Sequence, residues 1–300
     1  MECLKELQLK ISDYRTDSNK VDFTPLCCDP LINFDESPVP FIPWHWHNAV
    51  ELFYVESGCF EYSTIHGKLA FPAGSGGFIN SGVIHMMRWT DSGNSNVLSL
   101  YKFDVASVLD ISRIDVKELL GSKLGLVPFF LDDKFHSGIL KKMKTLAAAH
   151  DRKHRRERFM KGLLADIIEA IIKLESPFSP MDKIGIRTNH KLKMMMSYAH
   201  QRYQKPFRMN YIAEQGQLSS YSCHRFFREK LFTTPVDYVN EVRLYFACLM
   251  LFETNEYIET IAVNCGFCTS SYFGKVFKEK FGCTPTEYRL SKQAIKSISR

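Results

Sequence analysis

The last third of the chain repeats one pattern in the same order, and this duplication restricts the fold more than any other feature. The first copy runs Ile212-Ala213, then Gly216-Gln217-Leu218-Ser219, then a helical stretch with Arg225, Phe226, Phe227, Arg228 and Lys230. The second runs Ile261-Ala262, then Cys265-Gly266-Phe267-Cys268, then Tyr272, Phe273, Lys275, Val276, Phe277, Lys278 and Lys280. Ala213 and Ala262 stand 49 residues apart. In each copy a short helix, with a small residue where two helices must approach, leads through a tight turn. A second helix follows, aromatic inward and cationic outward. Those are the requirements of a helix-turn-helix, whose second helix enters the major groove. Between the copies, Leu244, Ala247, Cys248 and Leu251 mark one face of a long helix. Such a spacer would hold two reading helices in successive grooves, roughly 34 Å apart.

Charge follows the same division. From residue 184 onward there are 17 Lys and Arg against 9 Asp and Glu, while the preceding residues hold 22 against 24. A basic module joined to a near-neutral one predicts that the second half meets a polyanion. The chain is 45% hydrophobic and 13% aromatic, which excludes a disordered or collagen-like polymer. No window offers the ~18 uninterrupted apolar residues of a membrane span. Glu2 to Arg15 alternates charge without the apolar core of a secretory signal, and the nine Cys are irregularly spaced. Both features predict a cytoplasmic protein with reduced thiols. Neither a Walker-type phosphate loop nor a nucleophile elbow is present.

The segment from about His190 to Arg289 resembles the DNA-binding domain of the AraC/XylS family of transcription regulators. The closing run Phe281-Gly282-Cys283-Thr284-Pro285-Thr286-Glu287-Tyr288-Arg289 carries the resemblance. Ile261-Ala262, Gly266-Phe267, Ser271-Tyr272-Phe273 and Phe277-Lys278 add to it. The first copy departs from the pattern: counting from Ala213, the turn glycine falls on Gln217. Phe232-Thr233-Thr234-Pro235 stands where the family's other Gly-containing loop lies. Carried over by position, the base-facing residues are Ser220, Tyr221, His224 and Arg225, then Ser270, Ser271, Gly274 and Lys275. Arg225 suits a bidentate contact to guanine. Gly274 has no side chain, so the second helix is expected to position more than it reads. Arg228, Lys278 and Lys280, one turn on, suit phosphates. Cys265 and Cys268 have no second pair at ligand spacing and read as core or inert thiols.

Residues from about Phe41 to Phe103 alternate short apolar runs with glycine and proline turns, which predicts a small sandwich or barrel. From Phe135 the spacing turns helical, through Ile139, Met143, Leu146 and Ala147, then Phe159, Leu163, Ile167, Ile171 and Leu174. The charged run Arg152, Lys153, His154, Arg155, Arg156 and Arg158 between them reads as a solvated turn, with a phosphate patch as the sharper alternative. Ser176-Pro177-Phe178-Ser179-Pro180 stops the second helix. The expected division is an N-terminal segment 1–19, a barrel 20–105, a helical dimerisation segment 106–175, a linker 176–183 and a DNA-binding domain 184–300. The helix from about Arg155 to Glu175 is expected to pair with its copy in a homodimer.

The densest chemistry lies in Trp44-His45-Trp46-His47, Glu51 and His85. Strand alternation puts His45, His47 and Glu51 on one face. Two imidazoles, a carboxylate and a further His from a neighbouring strand make the ligand set of a divalent-metal site. The same residues suit hydrogen bonds to an effector's hydroxyls, and both readings stand. Arg88 and Trp89 offer a polar clamp and an aromatic platform for a small polyol. His-x-His, three residues, Glu, six residues and Gly58 resemble the first motif of the cupin superfamily. Pro72-Ala73-Gly74 with His85 resembles the second, although Ser75 stands where cupins carry Asp.

Together the resemblances imply a multidomain α+β protein. A cupin-like β-barrel with a helical dimerisation hairpin would precede an all-α double helix-turn-helix. The implied function is a non-enzymatic transcription regulator, an activator by family habit. Its implied partners are promoter DNA, a small-molecule effector such as a sugar, a second copy of the chain and RNA polymerase. The rival reading is a metal-dependent cupin isomerase or oxygenase with an accessory DNA-binding tail.

Overall fold

A computed structural model describes residues 27–33, 39–90, 96–103, 105–108, 125–134, 136–148, 156–173 and 183–298. The segment 1–19, the linker residues 176–182 and the charged positions 152–155 lie outside the described residues. The described residues fall into two compact units, one of residues 27–33 and 45–186, the other of residues 39–44 and 187–298. Among the described residues no helix is long and apolar enough to cross a membrane.

The described residues contain nine strands: β1 Cys27–Asn33, β2 Phe41–His45, β3 Val50–Ser57, β4 Cys59–Thr64, β5 Gly67–Pro72, β6 Gly76–Ile79, β7 His85–Trp89, β8 Val97–Phe103 and β9 Leu126–Phe129, all but β2 lying wholly in the first unit. They form a five-stranded sheet in the order β1-β8-β3-β6-β9 and a four-stranded sheet in the order β2-β7-β4-β5. β3 is central to the first and is buried on both faces from Val50 to Val55. Alternation sends Val50, Leu52 and Tyr54 to one side and Glu51, Phe53 and Val55 to the other. On the first side they join a core with helices α1 Val105–Val108, α2 Ser137–Ala148 and α3 Arg156–Lys173. On the second, the Phe53 ring stacks on Tyr62 of β4 at 4.1 Å and meets Phe71 of β5 edge-on at 4.9 Å. The two sheets therefore face one another across an aromatic layer.

Two features differ from the sequence reading. β9 falls in the stretch expected to be helical. It is only four residues long and contains Pro128, which a strand tolerates at a sheet edge, and β9 pairs with β6 alone. Helix α3 was expected to turn Phe159, Leu163, Ile167 and Ile171 to one face. Instead Met160, Leu164, Ile167, Ile168 and Ile171 enter the chain's own core, and Phe159 is 51% exposed.

The second unit is helical: α4 Lys183–Arg202, α5 Met209–Gln215, α6 Ser220–Leu231, α7 Pro235–Glu253, α8 Ile258–Asn264, α9 Ser270–Phe281 and α10 Pro285–Ile298. The repeat extends over three helices, α5-α6-α7 and α8-α9-α10. Ser219 caps α6 by accepting from the Ser222 N–H at 3.2 Å, and Thr269 caps α9 from Tyr272 at 3.1 Å. Thr234-Pro235 and Thr284-Pro285 then open α7 and α10, each Thr accepting from the N–H three residues on. Thr at the cap and Pro in the first turn are strong helix starts. Cys223, Phe227 and Leu231 of α6 are buried, as are Phe273 and Phe277 of α9, which is the inward aromatic face expected from spacing. Phe226 is only half-buried. In α7, the residues Leu244, Ala247, Cys248 and Leu251 are buried as expected.

Candidate functional site

The turn between α5 and α6 matches the turn between α8 and α9 in backbone detail. Gly216 has φ −89° and Cys265 φ −87°; the next residues, Gln217 and Gly266, have φ +53° and +84°. After each, a six-residue loop closes back onto the small helical residue: the Leu218 N–H donates to Ala213 at 3.0 Å, and the Phe267 N–H to Ala262 at 2.9 Å. This is a Schellman helix end. Gln217 thus holds the left-handed position that the second copy gives to glycine. Phe232, φ +55°, likewise stands in for Gly282, φ +74°, after the longer helices.

These turns project α6 and α9 from the unit. On α6, Tyr221 is 78% exposed and His224, Arg225 and Arg228 are exposed beside it. Ser220 opens the helix and donates its hydroxyl to Asn210 Oδ1 at 2.8 Å. Arg225 lies 3.4 Å from Glu229 one turn on, a solvent-screened pair. On α9, Ser271, Lys275 and Lys278 are exposed and Ser270 half-buried, with Lys275 at 3.9 Å from Glu279. Lys280 differs from expectation: its ammonium is paired with Glu241 of α7 and is committed within the protein. Cys265 is buried against the Met250 sulfur, and burial pushes its thiol up to about 12, whereas Cys268 is exposed. Only the first of the two is a packed thiol.

In the sheet unit, the end of β2, the loop that follows it, the start of β3 and the start of β7 bring together His45, His47, Glu51 and His85. All four are buried, with one ligand atom from each within 4.8 Å of the others. His47 Nδ1 donates to the Ala49 carbonyl at 2.8 Å and His85 Nδ1 to the Val83 carbonyl at 2.9 Å. A carbonyl only accepts, so each Nδ1 carries a proton and Nε2 is the ring atom turned toward the cluster. His47 Nε2 lies 3.1 Å from Glu51 Oε2. Burial lowers the pKa of His47 and holds that of His45 well below its usual value, with the neighbouring His85 adding to the second shift. Burial also opposes ionisation of Glu51. Lys102, 3.6 Å away, and the His47 and His85 contacts outweigh it and keep the carboxyl well below its usual range. With Nδ1 held by the Ala49 carbonyl, the His47–Glu51 contact is a hydrogen bond when Nε2 carries a proton, and a cation between the two atoms satisfies it when Nε2 does not.

Arg88 does not join this group. It lies three residues from His85 on one strand, so its side chain leaves by the opposite face, opposite Glu61 in the register, and pairs with that carboxylate at 2.9 Å. Trp89 shares the His85 face of β7. Tyr62, which the sequence reading passed over, donates its hydroxyl to Glu51 Oε1 at 3.2 Å; its signal was a tyrosine at an inward strand position.

A helix-turn-helix domain model matches residues 212–291. An uncharacterized HTH-type transcriptional regulator of Bacillus subtilis, YdeC, is 24% identical over 282 residues, covering 91% of this chain and 94% of its own. The HTH-type transcriptional activator RhaR of Mannheimia succiniciproducens is 36% identical over 99 residues, 33% of this chain and 36% of that protein. Among solved structures, ToxT of Vibrio cholerae covers 84% of this chain and 96% of its own at 13% identity and a TM-score of 0.48. The chain is thus a regulator that joins a β-sheet unit to a helical DNA-binding unit. Its helical unit carries a helix-turn-helix domain, and over nearly its full length the chain is similar to an HTH-type transcriptional regulator.

Proposed function

We propose that the two helix pairs are tandem helix-turn-helix units and that the sheets form a cupin-like, effector-binding barrel. In this reading α6 reads bases through Ser220, Tyr221, His224 and Arg225, and α9 docks chiefly through Ser270, Ser271, Lys275 and Lys278. The observation that carries it is the pair of matched turns, in which Gln217 and Gly266 adopt the same left-handed geometry at equivalent places, strained only at Gln217. A non-glycine residue held at positive φ costs about 1–2 kcal/mol, which the surrounding structure must impose. Residues 20–105 form the sensing part, 106–175 the dimerising part, and 184–300 the DNA-binding part. The protein then works in the cytoplasm as a non-enzymatic regulator, an activator by likeness to RhaR, with RNA polymerase as its downstream partner. Selection of bound duplexes from a random pool by the full chain tests this. Enrichment of a two-half-site sequence is the expected result, and recovery of no preferred sequence overturns it.

For the sheet unit, the convergence of three imidazoles and one carboxylate within 4.8 Å favours a divalent cation held by His45, His47, Glu51 and His85. A tightly bound cation would polarise an effector's hydroxyl or carboxylate. The competing occupant is a sugar or another small polyol hydrogen-bonded by the same atoms, with Trp89 as its platform. Metal analysis of untagged protein refolded with added Mn2+, Fe2+ or Zn2+ separates them. Near-stoichiometric metal that falls away in His47→Ala is expected, and fewer than ~0.1 equivalents in the parent protein removes the metal. The enzyme alternative predicts turnover that His47→Ala abolishes in the absence of DNA.

A further inference from the structure

The helical unit contains a cleft of about 320 Å3 between α4, the first turn of α5 and the loop joining them. Arg202, Lys205 and Arg208 line it with Tyr198, Phe207 and Tyr211, and no carboxylate does. On the candidate reading helices Arg225 is compensated by Glu229 and Lys275 by Glu279, while Arg228 and Lys278 stand singly on open surface. Among the described residues, Arg202, Lys205 and Arg208 enter no ion pair. Three uncompensated cations around one concavity repel each other, and an anion placed between them relieves that repulsion.

The rings do not offer bare stacking faces. The Arg202 guanidinium lies over Tyr198, 5.8 Å from its centroid, and that of Arg208 over Tyr211 at 5.7 Å. A visitor therefore meets guanidinium edges supported by rings, the arrangement suited to an oxyanion rather than to a stacked base. The loop is fixed from beneath. Buried Arg243 of α7 donates from Nε to the Tyr203 carbonyl at 2.7 Å and from Nη2 to the Lys205 carbonyl at 2.8 Å. Little backbone ordering is then left to oppose binding. Asn210, next to Tyr211, is bonded to Ser220 at the start of α6, so the cleft wall abuts the first turn of the reading helix.

We propose that this cleft is a phosphate-binding site, and that in the DNA complex its occupant is a backbone phosphate flanking the bases read by α6. The general site rests on the geometry alone; its role in the complex rests on the DNA-binding reading above. Either a duplex backbone or a free phosphoryl compound supplies this chemistry, and two measurements on the full chain separate them. The first is the salt dependence of binding to a labelled mixed-sequence duplex. Arg202→Gln/Arg208→Gln should lower the log–log slope by about 2, at ~0.9 per phosphate released, with an unchanged melting temperature. Lys205→Ala, a milder variant, should lower it by about 1. The second is thermal melting without DNA, in sodium phosphate against sodium chloride at matched ionic strength. Phosphate-specific stabilisation lost in the double variant, with an unchanged slope, assigns the site to a free phosphoryl ligand. An unchanged slope with no phosphate-specific stabilisation overturns the proposal. If the parent chain binds no duplex at all, the DNA-binding reading fails, and the melting comparison alone decides the cleft.

Discussion

Gln217 and Gly266 occupy one backbone geometry with opposite consequences. At Gln217 the left-handed conformation costs about 1–2 kcal/mol, more than the roughly 0.5–1 kcal/mol of added chain entropy that glycine brings to the unfolded state. Gln217→Gly should therefore stabilise the helical unit by roughly 0.5–1 kcal/mol, read as a higher denaturant midpoint. A lower midpoint would mean that the Gln side chain makes a compensating contact. Gly266→Ala should lose at least about 2 kcal/mol. Its new Cβ would lie 2.7 Å from Gln204 Cα and against the Tyr203 carbonyl, in addition to the φ of +84°. His200 supplies a pH signature. Burial lowers its pKa to about 4, and Nε2 of the neutral ring is hydrogen-bonded to the Tyr238 hydroxyl at 2.7 Å. The unfolded ring titrates near ~6.5. The buried neutral form therefore contributes stability that is complete above that value and is lost as pH falls toward 4. His200→Gln should flatten the acid limb of the melting profile between those limits; an unchanged limb would assign acid lability elsewhere. Gln217 was legible from arithmetic on the repeat, because Ala213 and Ala262 fix the count. His200 was not, since Ser197-Tyr198-Ala199-His200-Gln201-Arg202 reads as an ordinary polar helix end and only the Tyr238 side of α7 buries it.

At the scale of elements, the sequence patterns located the helices well but said less about which way they face. The aromatic spacing of α6 and α9 gave their inward sides directly. In β7, period-two alternation already separates Arg88 from His85, so its exclusion from the cluster was within reach of the sequence alone. Lys280 was not: only the fold shows that the end of α9 comes beside Glu241 of α7. Nor does local pattern reveal β9, whose pairing with β6 is set by tertiary neighbours. The Lys280 pairing changes how base reading is distinguished from phosphate binding. Arg225→Ala should weaken the selected sequence by about 1–3 kcal/mol and relax preference at one base pair. Lys278→Ala, whose cation is exposed and one turn further along α9, should weaken all sequences alike and lower the salt slope by about one. Binding of a panel of single-base variants compares the two. If Arg225→Ala leaves the preference profile flat across every position, α6 does not read bases through this residue.

At the scale of the whole molecule, the proposed function makes α3 the link between sensing and assembly. It sits in the same core as β3, whose other face carries Glu51, so α3 and the histidine cluster share one strand as a common wall. Its strongest apolar residues are consumed by that core, leaving Phe159 exposed with Leu163 and Ala170 partly so. That residual stripe, at spacings of four and seven, is the surface on which a second copy would pack. Phe159→Asp should convert a dimer to a monomer in sedimentation without lowering the melting temperature, because the side chain contributes little to the folded monomer. Binding to a two-half-site duplex should then fall by roughly 10²–10⁴-fold, while binding to a single half-site stays near the parent value, since linkage and not contact chemistry has been removed. A monomeric parent protein, or a variant that remains dimeric, would move the interface away from α3. The stronger test joins the two ends of the strand. If occupancy of the cluster biases the dimer arrangement, His47→Ala should abolish the effect of added ligand or metal on two-half-site affinity while leaving dimerisation intact. Dimerisation and DNA affinity that are both indifferent to the cluster would make the sheet unit a scaffold, with no sensing role.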